Sequence, residues 1–108
     1  MNLDTIPQGL LILIAPVNLE EVLVDLLLQK NEISGFTSSN VSGHGRHHAE
    51  SSSQLSMLEQ VAGRQKRVQL MMHASICELQ SLVAELKQTF SDAGMHYILM
   101  PVTEAQSI

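Results

Sequence analysis

Two helix-start signals, each preceded by a strand-like stretch, constrain this chain more than any other feature. Asn18 stands three residues before Glu21, and Ser75 three residues before Glu78. At that spacing a polar and an acidic side chain can satisfy free backbone N–H groups in the first turn of a helix. Before the first signal, residues 10–15 form a continuous apolar run stopped by Pro16, which suits a strand buried on both faces. After it, Leu19, Val22, Leu23, Leu26 and Leu27 share one helical face, and the spacing predicts a helix to about Lys30. Gly35 then turns the chain into a second strand over 36–42. Before the second signal, residues 67–73 alternate Val68, Leu70 and Met72 against Gln69, Met71 and His73, a third strand. Ile76, Leu79, Leu82, Val83, Leu86 and Phe90 then keep helical spacing until Gly94, where the helix is expected to close, and 95–102 reads as the last strand.

The predicted order is βαββαβ. A chain of 108 residues makes one domain, 1–108, too small for helices on both faces of a sheet. Right-handed crossovers then place both helices on one face of a four-stranded antiparallel sheet, an α+β, ferredoxin-like two-layer sandwich. Its other face stays uncovered. Yet the first strand is apolar on both sides, with Leu10, Ile12 and Ile14 opposing Leu11 and Leu13, and the last sets Met95, Tyr97 and Leu99 against Ile98 and Met100. At about 25 cal/mol per Å² of apolar surface, leaving such a face in water is unfavourable, so self-association is expected.

The 44% of hydrophobic residues include only two Phe, one Tyr and no Trp, so Leu, Val, Ile and six Met must fill the interior and few stacking platforms remain. A formal charge of −5 opposes phosphate binding, and no nucleic-acid role is expected. Arg64, Lys66 and Arg67 cluster at the start of the third strand, as a solvated strand end or an anion site. The first eight residues carry Asp4 and no Lys or Arg, and no apolar stretch approaches the ~20 residues of a membrane span, so the chain reads as cytoplasmic without membrane insertion. Its single cysteine, Cys77, fits a reducing compartment and a structural role.

Between the second and third strands lies a polar connection of about twenty residues, far longer than a small domain normally carries, and function is expected there. It opens on Gly43-His44-Gly45-Arg46-His47-His48, with Glu50 close behind. His44, His47 and His48 are candidate ligands for zinc, copper or nickel, although neighbouring histidines in a polar loop are commonly just solvated. His73 and His96 fall on predicted strands and read as histidines at a subunit contact, with metal ligation the alternative. No nucleophile with a neighbouring base and no paired carboxylates can be placed together, so an enzyme is not expected.

The element order, Ala15-Pro16 at the end of the first strand, Gly35-Phe36-Thr37 at the start of the second, and Gly43-His44-Gly45-Arg46 below a long loop resemble the PII (GlnB-like) signalling proteins. The resemblance implies a homotrimer with sheets facing inward and a regulatory loop, the T-loop, here at about 43–63. Gly43, Gly45 and Arg46 would shape its base, and Leu55, Leu58 and Val61 would meet a partner protein. Residues 55–64 also fit the Leu-Ser-x-x-Glu-Gln-Val-Ala-Gly-Arg pattern of a small PII-like branch associated with heavy-metal efflux, which implies a membrane transporter or efflux component as partner. The ATP-binding members use a Gly-Asp-Gly-Lys-type turn after the second helix and a basic segment after the last strand. Here those places read Ser91-Asp92-Ala93-Gly94 and Thr103-Glu104-Ala105-Gln106, and His47-His48 replaces Gln-Lys, so ATP and 2-oxoglutarate are not expected. The loop has no tyrosine to be uridylylated, since Tyr97 lies in the last strand.

Overall fold

Strict alternation of burial along β1 (Gln8–Pro16) decides which way the sheet faces: Leu11, Leu13 and Ala15 are fully buried while Leu10, Ile12 and Ile14 are only half-buried. The computed structural model describes residues 6–45 and 64–108, and of Arg64 the backbone alone. Within them the chain follows β1, a 3-10 turn (Val17–Leu19), α1 (Glu20–Leu28), β2 (Phe36–His44), β3 (Arg64–Ser75), α2 (Ile76–Thr89) and β4 (His96–Val102). The strands form one antiparallel sheet in the order β2-β3-β1-β4, so the expected α+β architecture and topology hold.

Register places Leu11 against Met72 and Leu99, Leu13 against Leu70 and Tyr97, and Ala15 against Val68 on one face. Leu23 and Leu27 of α1 and Leu79, Leu82, Val83 and Leu86 of α2 close over that face, and Ile33 of the α1–β2 connection completes the core. Burial of these aliphatic groups is the main stabilising contribution. Lys30, just past the end of α1, and Glu85 of α2 form an ion pair of 2.6 Å, but with side chains 25% and 43% exposed it contributes at most about 1 kcal/mol.

Several local expectations need correction. Ser75 does cap α2, its hydroxyl accepting from the Glu78 backbone N–H at 3.2 Å. Asn18 does not cap α1: Pro16 turns the chain into the 3-10 turn, Asn18 lies inside it, and Leu19 takes the cap position without a side-chain hydrogen bond. The helix α1 ends at Leu28 rather than Lys30. Gly94 does not close α2 either. The helix stops at Thr89, Phe90 returns its N–H to Leu86, and Asp92 (φ 59°) and Gly94 (φ 78°) then take left-handed conformations that turn the chain into β4. The strand β1 is buried on one face within a single chain, not on both, because the helices cover one face only.

Leu70 lies at the centre of this packing and is fully buried, so Leu70→Ala should cost about 2–5 kcal/mol in a urea titration. Ser75→Ala removes only the cap and should cost about 1 kcal/mol in the same titration.

Candidate functional site

Antiparallel pairing of β2 with β3 outlasts the rest of the sheet. The strand β1 accompanies β3 only as far as Pro16 opposite Arg67, whereas β2 continues through Ser42 opposite Lys66, Gly43 opposite Gln65 and His44 opposite Arg64. These last three pairs form a two-stranded ribbon projecting about 10 Å past the sheet, at about 3.4 Å per residue. The ribbon carries residues 45–63, the connection in which function was expected.

Its base is built from small and basic residues. A Cβ on Gly43 would stand 3.2 Å from Cγ of Arg67, so the missing side chain leaves room for the arginine stem. Gly45 has φ +154°, a backbone state that favours glycine, and among the described residues no atom lies within 4 Å of where its Cβ would stand. Arg67 donates from Nη1 to the Gly94 carbonyl at 3.0 Å, tying the ribbon base to the turn between α2 and β4. Lys66 and Arg67 both line a hollow of about 480 Å³ with Val17, Asn40, Val41 and Ser42. Of the basic cluster, then, the structure brings Lys66 and Arg67 to one hollow, while the side chain of Arg64 lies outside what is described. Arg46, His47, His48, Leu55, Leu58 and Val61 also lie outside the described residues.

The second component is the open sheet face. Rows of paired residues run across it: His73, Leu10 and Met100; Thr37, Met71, Ile12 and Ile98; Ser39, Gln69, Ile14 and His96; then Val41, Arg67 and Pro16. Its centre is apolar, with Ile98 42% and Met100 38% exposed in the single chain. The two strand histidines occupy opposite corners, four residues apart along the strand direction, about 13 Å, and two strands apart across it. One chain therefore does not bring His73 and His96 together, and no group of three histidines, cysteines or acids converges among the described residues. His44 sits at the exposed end of β2, on the ribbon. Cys77 is exposed at the second position of α2.

Two features had little signal in the sequence. A cleft of about 270 Å³ opens between the end of α2 and β4, with Leu13, Leu86, Phe90 and Met95 as apolar walls and Lys87, Asp92 and His96 along it. Lys87 lies over the Tyr97 ring at 5.3 Å, inside cation–π range. The tie from Arg67 to Gly94 was equally hidden, because a hydrogen bond to a carbonyl 27 residues away leaves no local pattern.

No helix among the described residues is long and apolar enough to cross a membrane. The fold is that of the PII-like proteins. A DUF3240 family protein from Shewanella baltica OS155 is 20% identical, with a TM-score of 0.73 over 94% of this chain and 96% of that one. CPII, a nitrogen regulatory PII-like protein from Thiomonas intermedia K12 bound to ADP, AMP and bicarbonate, is 16% identical, with a TM-score of 0.68 over 94% and 97%. The B. subtilis GlnK–ATP complex is 13% identical, with a TM-score of 0.64 over 90% and 83%. At such identities the likeness concerns the fold. No curated protein matches the sequence. The model of the DUF3240 family, described as a protein of unknown function, matches residues 5–108, and the chain belongs to that family.

Proposed function

We propose that this protein is a non-enzymatic PII-like regulator: copies assemble through the open sheet face as a trimer, and each holds its β2–β3 connection out to a partner protein. The observation that carries this reading is the ribbon running past the end of the sheet directly beside an uncovered apolar face. A projecting ribbon fixes where a long connection begins, and a loop positioned by a rigid sheet is a common place for binding. Self-association suits the face because Leu10, Ile12, Ile14, Met71, Ile98 and Met100 dominate it and no carboxylate lies in its rows, although the chain is acidic overall.

Partner contact is assigned to Leu55, Leu58 and Val61, and the resemblance to the efflux-associated branch makes a membrane transporter or efflux component the proposed class of partner. Nucleotide is left out of the proposal: the turn after α2 carries Asp92 and no lysine, and the segment after β4 carries Glu104 and no basic residue. The rival reading, a metal-binding protein acting without a partner through His44, His47 and His48, makes a different demand on the loop.

Ile12→Asp places a charge at the middle of the open face without touching the helix-side core, so it should turn the assembly into monomers of unchanged helicity, checked by sedimentation velocity and circular dichroism. Leu58→Asp should leave the assembly intact and abolish partner capture; capture that survives this change and deletion of residues 51–53 sinks the loop-contact reading. Loss of copper, zinc or nickel binding in the His44, His47 and His48 triple alanine variant, with no partner captured by the wild type, would favour the rival.

A further inference from the structure

We propose that the cleft between the end of α2 and β4 binds a free apolar α-amino acid of the leucine or methionine kind, with Lys87 meeting its carboxylate and Asp92 its ammonium. The cleft lies on the helix side of the sheet. Leu13, in its wall, belongs to the buried face that the helices cover, and pairs with Tyr97 of β4. Occupancy of the cleft therefore does not require copies on the opposite face.

Size and wall chemistry narrow the ligand first. A volume of about 270 Å³ falls just below the ~300–1,000 Å³ of pockets that take drug-sized molecules, so the cleft suits one small molecule and not a nucleotide. Its apolar walls are Leu13, Leu86, Phe90 and Met95, of which Phe90 and Met95 are only half-buried. Apolar surface is left in water there, and an aliphatic or thioether side chain would cover it.

The charges then select among small apolar molecules. Lys87 lies over the Tyr97 ring at 5.3 Å, a contact that holds the ammonium at the cleft without neutralising it. Asp92 lines the same cleft from the turn after α2, where its backbone is left-handed (φ 59°). Among the described residues no ion pair joins the two. A simple carboxylic acid would meet the Lys87 cation but also the Asp92 anion, and a simple amine the reverse. A zwitterion gives each of them an opposite charge, and an α-amino acid carries both charges on one carbon beside its apolar side chain. A peptide terminus offers one of the two charges only, which favours the free amino acid over the end of a chain.

The test is isothermal titration calorimetry of the full chain near neutral pH with L-leucine, L-methionine, N-acetyl-L-leucine and L-leucinamide, for wild type, Lys87→Met, Asp92→Asn and Lys30→Met. Circular dichroism checks the fold of each variant, and amide chemical shifts of isotope-labelled protein locate the ligand. Methionine keeps an apolar stem at 87, and asparagine tolerates the left-handed backbone at 92, so both variants should fold. The expected result is one leucine or methionine per chain, with shifts centred on residues 86–97. Affinity should fall at least about tenfold in Lys87→Met and in Asp92→Asn, each having lost one charge-assisted contact, while Lys30→Met, altered outside the cleft, binds like the wild type. N-acetyl-L-leucine and L-leucinamide should each bind at least about tenfold more weakly than leucine. No saturable binding of either amino acid at millimolar concentration would overturn the proposal, as would binding that survives both cleft variants. N-acetyl-L-leucine binding as tightly as leucine, with Asp92→Asn without effect, would overturn the amino-acid assignment in favour of a peptide C-terminus. A monomeric protein that binds leucine with the expected losses would uphold this site while contradicting the proposed assembly.

Discussion

Everything in this structure depends on one packing arrangement: the leucines of two helices closing over one face of the central β1–β3 pair. Leu11, Leu13, Val68 and Leu70 meet Leu23, Leu27, Leu79, Leu82 and Leu86 there with almost no exposure. Among the described residues no third layer covers the opposite face, and apolar side chains at the even positions of β1 and β4 stay partly or largely exposed. The polar edge strand β2, by contrast, is largely exposed and continues outward as a ribbon with β3. One-sided packing thus divides the molecule into a covered core, an apolar face suited to sister copies and a projecting arm.

How legible this was in the sequence follows from the range of the interactions involved. Element order and sheet topology could be read because alternation and helical spacing are local patterns, repeated over six segments. The cap at Ser75 was legible for the same reason: its acceptor and donor lie three residues apart. Asn18 carried the same pattern, but Pro16 fixed the backbone first and drew the chain into a 3-10 turn that left the asparagine inside it. Strand ends were underestimated because Ser75, Gln65 and Lys66 look like connecting residues and extend β3 only through their partners in β1 and β2.

The base of the loop shows the same division. Gly43 and Gly45 could be singled out at the loop base through the resemblance, yet what Gly43 makes room for, the stem of Arg67, and where that arginine ends, at the Gly94 carbonyl, are facts of tertiary structure. This tie links the ribbon base to the turn between α2 and β4. A guanidinium holds that turn by its backbone, at the Gly94 carbonyl.

In the proposed assembly the open face is an interface between copies of this chain. A native mass spectrum of the untagged protein near neutral pH tests it most directly, because it counts subunits without assuming a shape. A trimer is expected; a monomer at micromolar concentration would contradict that interface, and would mean that the apolar rows of β1 and β4 are covered by something other than a second copy.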